Sequence, residues 1–186
     1  MNLGGRTVLS RILSLYHDAG VMDIRVVTGH RANAIRSALY AHPATVVHNP
    51  VYDSGMFSSV VAGIDSLPVT SHAFFIHPVD IPLVQSHTLS LLSDAFNERS
   101  PAVVYPVFNG IRGHPPLIHR ELKDAIASND GCGGLRSILL RFDSKAQDIA
   151  VADEGVLLDL DTPDDYQRLS ARLATGDRPA GKKRQE

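Results

Sequence analysis

The chain has 186 residues, a formal net charge of -2 at pH 7 and a hydrophobic content of 44%. This length and composition predict one domain with a sizeable core. The charge leaves no broad basic surface for nucleic acid, and the single cysteine, Cys132, excludes a disulfide framework and a thiolate zinc cluster. Because the apolar runs are too short to span a membrane and the first residues do not resemble a signal peptide, we expect a cytoplasmic protein.

Helical and strand-like patterns alternate along the chain. A first helix is predicted from about Val8, and it ends near Gly20. Strands are then predicted at 24–28, 45–48, 73–77, 102–105, 148–151 and 156–160, and helices at 32–40, 56–67, 86–96, 121–128, 135–142 and from Pro163. This alternation is typical of a three-layer α/β domain, here residues 1–175, with a mostly parallel sheet between helices. Residues 176–186 lack large apolar side chains, and we expect them to form a disordered tail.

An open parallel sheet binds ligands beyond the carboxyl ends of its strands, and this rule selects the segments 29–31, 49–59, 77–82 and 159–165. Asp80 follows a predicted strand within a turn that two prolines stiffen, and it is the best metal candidate. Mg²⁺ takes oxygen ligands and commonly combines one or two carboxylates with substrate phosphates. The alternative is an aspartate that caps the next turn.

Asp159 and Asp161 are two residues apart in a predicted strand, so they share one face and could join Asp80 at a cation. A structural alternative is equally open for them, since carboxylates often lead into a helix. Thr162 followed by Pro163 is typical of a helix start, with Thr162 as the N-cap and acidic residues in the first turn.

Three glycine-containing segments complete the candidate site. Gly55, Ser58 and Ser59 open a helix after a turn, where free N–H groups and hydroxyls can bind a nucleotide, although a turn with serine caps has the same pattern. With Gly29 and Asn49 at two strand ends, they are the predicted nucleotide-binding residues. The other two segments carry the predicted acceptor-binding residues, Arg112, Gly113, His114 and Arg136, whose charges suit a phosphate or polar ligand.

Five segments in order resemble the family of molybdenum cofactor cytidylyltransferases, which have a MobA-like NTP transferase domain. They read HNPVYDSGMFSSVVAGI, HPVDIPLV, VFNGIRGHPPLI, DGCGGLR and LLDLDTPDDY. The resemblance implies a Rossmann-like nucleotidyltransferase fold and Mg²⁺-dependent transfer of CMP from CTP to the molybdenum cofactor, with release of pyrophosphate. It implies that Asp80 and Asp161 hold the metal, that Gly55, Ser58 and Ser59 face the nucleotide, and that Gly113 and His114 face the acceptor. Maturation proteins of molybdoenzymes are a further candidate partner.

The chain departs from this family at its beginning. Members open with a strand, a glycine-rich loop and a lysine that together cradle the triphosphate, whereas residues 3–7 resemble only the stretch after that lysine. We therefore expect weak nucleotide binding and a sheet with unpaired edges. A start assigned too late, a fragment, and a degenerate relative are three open explanations. The rival to an enzyme is a noncatalytic binding or interaction domain with the same fold, or a nucleotidyltransferase for another NTP and acceptor.

Overall fold

The computed structural model describes residues 1–30, 32, 35, 39 and 43–175. Most of the predicted helix at 32–40 and all of the predicted tail lie outside the described residues, and the single-domain assignment stays a prediction. The strands are β1 (Asn2–Leu3), β2 (Arg6–Thr7), β3 (Arg25–Thr28), β4 (Thr45–His48), β5 (Ala73–Phe75), β6 (Val103–Phe108), β7 (Ile111–Arg112), β8 (Leu117–His119) and β9 (Ala146–Ala150). The α-helices are α1 (Val8–Asp18), α2 (Met56–Asp65), α3 (Ser86–Arg99), α4 (Lys123–Ala127), α5 (Gly134–Leu140) and α6 (Pro163–Ala174). Short 3-10 helices cover Tyr52–Ser54, Arg120–Leu122, Asp143–Lys145 and Glu154–Leu157.

Strand β6 is the centre of the larger sheet. One of its edges pairs in parallel with β9, and the other pairs antiparallel with β8 and, further along, with β7. Strand β5 then pairs antiparallel with β8. Because β6 has both parallel and antiparallel partners, this larger sheet is mixed. Strands β3 and β4 form a separate parallel ladder. The predicted α/β class is confirmed.

Helices cover both faces of the sheet because side chains along its strands alternate in direction. Val103 packs among apolar residues of α2, α4 and α5 on one face, whereas its neighbour Val104 packs against α3 on the other. Helix α1 contacts α3 and lies in that second layer. A strand buried on both faces needs a continuous apolar run, which explains why β6 could be recognised from its sequence.

Two features near the chain's second half differ from the sequence prediction. The predicted strand at 156–160 is wrong, because Asp153 accepts a hydrogen bond from the Gly155 N–H and starts a 3-10 helix there. The apolar residues of this segment pack in the core without forming a strand, and Val156 and Leu160 are both buried. The sequence prediction also missed β8, whose three residues directly follow two prolines and are too few to show a period.

The start of α6 matches its prediction. Thr162 is the N-cap, Pro163 occupies the first turn, and Thr162 and Asp165 bond to each other's backbone as a capping box. Asp165 therefore serves this helix end.

Candidate nucleotide and metal site

The turn between β4 and α2 is held by the amide of Asn49. This side chain is 1% exposed, and its Nδ2 donates to Ser58 Oγ at 2.8 Å and to Ser59 Oγ at 3.0 Å. Its Oδ1 accepts from the Val51 N–H at 3.0 Å. Gly55 ends the turn at a φ of 101°, a value that side chains disfavour. Asn49 thus positions the predicted nucleotide-binding turn from beneath.

The two serines of this turn differ in whether the hydroxyl hydrogen already has an acceptor within the turn. The Ser58 hydroxyl lies 2.8 Å from the Gly55 carbonyl and 3.1 Å from the Val51 carbonyl, so its single hydrogen has acceptors within the turn. Ser59 accepts from Asn49 and borders a large cavity. Of the two predicted contacts, Ser59 has the hydroxyl better placed for a ligand.

Gly29 is brought to the same turn. A Cβ at this position would lie 2.4 Å from the side chain of Tyr52, so only glycine lets that ring pack against the end of β3. The ring of His30 meets Tyr52 edge-on, with centroids 6.3 Å apart. The predicted nucleotide-binding residues therefore surround one turn at the carboxyl ends of β3 and β4.

Asp80 lies in a tight turn just beyond β5, and it is half-buried. Its Oδ1 is buried and has no hydrogen-bond partner among the described residues. Buried polar atoms in proteins are normally paired, and exceptions often mark the place of a water or an ion. An unpaired carboxylate oxygen is also what a hard divalent cation prefers. This residue therefore fits the predicted role of a metal ligand.

His77 closes the turn that carries Asp80. Its Nε2 lies 2.7 Å from the Ile81 carbonyl, which can only accept, so Nε2 carries the proton. Its Nδ1 then accepts from the hydroxyl of Tyr16, at 3.1 Å, on α1. Burial lowers the pKa of His77 to about 4 and raises that of Tyr16 well above its usual value, so both are neutral at pH 7. His77 thus links the Asp80 turn to α1, and the sequence rule selected its segment, 77–82, without giving this residue a role.

Protonation of His77 predicts an acid-sensitive fold. An unfolded histidine has a pKa near 6.5, so between pH 6.5 and 4 the unfolded chain binds a proton that folded His77 does not. This contribution to the free energy of unfolding is complete above pH 7, and about 3 kcal/mol of it should be lost by pH 4. Urea unfolding at several pH values should show this loss. His77→Gln, which keeps a donor and an acceptor but does not titrate, should lack this part of the pH dependence, and an unchanged slope would contradict it.

His114 reaches the neighbourhood of Asp80 from the loop after β7. Partial burial of its ring lowers the pKa of His114, while the negative charge of Asp80 opposes that shift. The loop is fixed by the His114 N–H, which donates to the Val156 carbonyl at 2.8 Å. A Cβ on Gly113 would lie 2.5 Å from that same oxygen, so glycine is required for this approach. The structure thus brings Gly113 and His114 beside the Asp80 turn.

The predicted metal set of Asp80, Asp159 and Asp161 is not assembled. In the described part of the chain no three His, Cys, Asp or Glu side chains come together as a metal cluster. Asp159 and Asp161 are exposed on either side of buried Leu160, but they follow a 3-10 helix and have no strand pairing. The three carboxylates therefore do not form a cluster of their own among the described residues, and their assignment to a metal stays a prediction.

Both predicted acceptor-binding arginines lie near the side chain of Tyr105. Arg112 contacts Asp143 at 2.5 Å and Asp148 at 2.7 Å, and its guanidinium lies 4.4 Å from the ring centroid of Tyr105. These carboxylates raise the pKa of Arg112 further. Burial raises the pKa of Tyr105, and the positive charges of Arg112 and of the exposed Arg136 oppose this rise, so Arg136 lies on the same side. An acceptor at Arg112 would compete with two ion pairs, and both roles stay predictions.

Comparison with known proteins identifies the family of this chain. Residues 1–148 match the family model described as the MobA-like NTP transferase domain. The chain belongs to this family of MobA-like NTP transferases. It is accordingly an enzyme of the nucleotidyltransferase type, and the matched residues include the Asn49 turn, the Asp80 turn and the His114 loop.

Two curated relatives carry different activities in their names. The chain is 32% identical over 145 residues to the molybdenum cofactor cytidylyltransferase of Escherichia coli (strain K12), covering 77% of this chain and 71% of that protein. It is 29% identical over 177 residues to the nicotine blue oxidoreductase of Paenarthrobacter nicotinovorans, covering 89% and 83%. The substrates of this chain therefore need evidence of their own.

Solved structures with low sequence identity share the fold. Rv0371c from Mycobacterium tuberculosis has a TM-score of 0.77 at 24% identity and covers 92% of this chain and 87% of its own. A nucleotidyl transferase from Methanothermobacter has a TM-score of 0.80 at 21% identity, with coverage of 95% and 85%. These matches show the Rossmann-like nucleotidyltransferase fold. Among the described helices, none has the length and apolar content needed to cross a membrane.

Proposed function

We propose that the chain transfers CMP from CTP to the molybdenum cofactor and releases pyrophosphate. The observation that carries the proposal is the buried, unpaired Oδ1 of Asp80 in a turn next to the His114 loop. The E. coli relative, 32% identical, is named for this activity. The cytoplasmic location and the maturation proteins predicted above stay predictions.

The reaction joins two phosphates. A terminal phosphate oxygen of the acceptor attacks the α-phosphorus of CTP, the bond from that phosphorus to the bridging oxygen breaks, and pyrophosphate leaves with the bond's electrons. Charge neutralisation and positioning supply most of the catalysis in such transfers, and no protein nucleophile is needed. This agrees with a site whose polar groups hold and orient.

Asp80 would hold Mg²⁺ together with the phosphates of the nucleotide, and Asp161 stays a second candidate ligand. A divalent cation bound there supplies neutralisation of the phosphate charge. A fold relative, Rv0371c, has been crystallised in complex with manganese, which supports a divalent cation in this fold. Asp80 itself is kept in place by the neutral His77 bridge between the turn and α1.

The turn from Asn49 to Ser59 would hold the base and ribose. Asn49 is buried and orients both serines, so its effect is indirect. Ser59 keeps a hydroxyl hydrogen for a ribose or base acceptor, and His114 would face the cofactor half of the site. Specificity among nucleotides would then depend on this turn.

The test is a comparison of nucleotides. The full chain with Mg²⁺ and purified molybdenum cofactor is incubated with CTP, GTP or ATP, and pyrophosphate is measured together with the dinucleotide product. We expect release with CTP to exceed that with GTP or ATP at least about tenfold, equivalent to 1.4 kcal/mol of transition-state discrimination. Greater release of pyrophosphate with GTP or ATP would instead identify the chain as a transferase that uses that nucleotide. No release at all, with oxidation or reduction of a dye, would favour an oxidoreductase like the Paenarthrobacter relative.

A noncatalytic binding domain is the second candidate. The lysines of the sequence are at positions 123, 145, 182 and 183. The Nζ of Lys123 lies 3.7 Å from a carboxylate oxygen of Asp65, the last residue of α2. The turns at Asn49 and Asp80 thus carry no lysine of their own for a triphosphate. Thermal unfolding with Mg²⁺ and each nucleotide separates the candidates, since a nucleotide at 100 times its dissociation constant should add about 2.7 kcal/mol to stability. Stabilisation by CTP without turnover would favour the binding domain.

A further inference from the structure

A buried carboxylate outside the two candidate turns connects the start of α3 to the 3-10 helix that follows β9. Asp153 is 3% exposed, and its two oxygens have separate partners. The Oδ2 accepts from the Gln85 N–H at 2.8 Å and from the Thr88 hydroxyl at 2.7 Å. The Oδ1 accepts from the Gly155 N–H at 3.0 Å. One side chain thus fastens the 153–157 segment to the beginning of a helix in another layer.

The 153–157 segment lies directly against the chain that follows Asp80. A Cβ on Gly155 would overlap the carbonyl of Leu83, so the two backbones are in close contact there. Leu83 follows Asp80 by three residues. The side chain of Val156 is fully buried in the apolar cluster that also contains residues of this turn. The position of the segment is therefore tied to that of the Asp80 turn.

The same segment also holds the His114 loop. The Val156 carbonyl accepts from the His114 N–H at 2.8 Å. The neighbouring Gly113 N–H donates instead to the Pro106 carbonyl, also at 2.8 Å, within the hairpin of β6 and β7. Two successive amides of the loop thus have different anchors, one on the 153–157 segment and one in the hairpin.

The Asp153 carboxylate gives this contact a direction that apolar packing does not. Burial of Val156 holds the segment in the core, but the hydrophobic effect is non-directional. Hydrogen bonds to a carboxylate are short and depend on geometry. Burying a carboxylate is costly unless donors satisfy its oxygens, and in some proteins such a group is retained because it fixes one arrangement.

We propose that Asp153 is a positioning residue for the acceptor half of the active site. It fixes the 153–157 segment between the start of α3 and the Asp80 turn. The Val156 carbonyl of that segment then sets where the His114 loop lies relative to Asp80. The structural step concerns the backbone alone, and the kinetic step rests on the proposed function.

The turn that carries Asp80 has an anchor of its own. His77 bonds to a carbonyl within that turn and to the hydroxyl of Tyr16 on α1. Loss of the Asp153 carboxylate should therefore loosen the His114 loop more than the Asp80 turn. In the proposed reaction the loop faces the acceptor and the turn holds the metal and nucleotide. Binding of the acceptor should then suffer and binding of CTP should not.

Amide hydrogen exchange in Asp153→Asn tests the structural step. Asparagine keeps one acceptor oxygen, so it cannot serve both Gly155 and the start of α3. Exchange is followed by NMR in the full chain. We expect the His114 amide to exchange at least about tenfold faster than in the parent, because its acceptor is released. The Gly113 amide, which is bonded within the hairpin, should change less than about twofold.

Steady-state kinetics of Asp153→Asn test the functional step. Purified molybdenum cofactor is varied at saturating CTP and Mg²⁺, and CTP is then varied at saturating cofactor. We expect the KM for the cofactor to rise at least about fivefold and the KM for CTP to stay within about twofold. A simple loss of folded protein would lower the maximal rate without separating the two KM values, so this split reports on position.

Two further variants separate positioning from loss of stability. Thr88→Val keeps the shape of the side chain but removes one donor to Asp153, and it should shift the same amide and the same KM by a smaller factor. Ile138→Val lowers stability from a buried cluster that does not include the 153–157 segment, and it should change neither. Urea unfolding measures the stability that each variant loses.

Three results would overturn the inference. Unchanged exchange of the His114 amide in Asp153→Asn would show that the segment does not depend on this carboxylate. Equal acceleration of the Gly113 and His114 amides, or the same acceleration in Ile138→Val, would show a general loss of stability. Faster exchange at His114 with both KM values unchanged would show that Asp153 has a structural role only.

Failure of the proposed function gives a different result. The parent chain would then release no pyrophosphate with any nucleotide. Exchange of the Gly113 and His114 amides would still decide whether Asp153 fixes the loop, because this measurement needs no turnover.

Discussion

Asp80→Asn is expected to lower kcat for pyrophosphate release by about 10²- to 10³-fold, the size of effect found when one charge-stabilising group is removed from such a site. The substitution keeps the shape of the side chain but removes the charge of the buried, unpaired carboxylate oxygen. Steady-state kinetics with CTP and varied Mg²⁺ measure it. The apparent affinity for Mg²⁺ should fall in parallel, because the carboxylate is the proposed ligand.

Asp94→Asn is the matched control for Asp80→Asn. Asp94 is an exposed aspartate on α3, and its replacement should leave kcat within twofold, or about 0.4 kcal/mol. If Asp80→Asn retains full activity while the fold is intact, the metal assignment is wrong. A lower kcat without any change in Mg²⁺ dependence would instead mean that Asp80 acts on the substrate and not on a cation.

Asp153→Ala should lower the free energy of unfolding by about 3 kcal/mol, as measured by urea unfolding at pH 7. Asp153 is 3% exposed and links the 153–157 segment to the start of α3. Its carboxylate accepts from the Gln85 N–H at 2.8 Å, the Thr88 hydroxyl at 2.7 Å and the Gly155 N–H at 3.0 Å. Loss of this side chain leaves those buried donors unpaired, including N–H groups at a helix N-terminus.

The more conservative Asp153→Asn should cost less than Asp153→Ala, since the amide keeps one oxygen as an acceptor. Asp94→Ala, on the exposed side of α3, should stay within about 0.5 kcal/mol of the parent. A loss below about 1 kcal/mol in Asp153→Ala would show that water replaces the carboxylate and that the segment is not fastened through it.

The elements that could be predicted from the sequence are those with regular apolar spacing. Helix α1 and strand β3 were located to within a few residues, because helix and strand periods differ clearly there. Asp80 was selected because chemistry concentrates where strands of an α/β sheet end, and its role as a metal ligand stays a prediction. The 156–160 segment failed because a side-chain hydrogen bond from Asp153 overrides the local apolar pattern.

Contacts between distant residues explain what the sequence did not reveal. Asp153 meets Thr88 across 65 positions, and Tyr16 meets His77 across 61, so no local pattern marks either pair. The open edges of β3 and β5 also depend on which strands become neighbours. The sequence could predict that edges would be unpaired, but only the folded arrangement shows that two of them face one cavity.

The division of the sheet into two ladders has a consequence for cooperativity. Strands β3 and β4 are bonded to each other, and in the described residues they join the rest of the molecule through helix packing, chiefly by α2. Helix packing alone couples two units less strongly than packing combined with backbone hydrogen bonds. We therefore expect the β3–β4 unit to open at a lower free energy than the sheet around β6. Unfolding followed at single amides should then show two steps, with β3 and β4 exchanging first and β6 last.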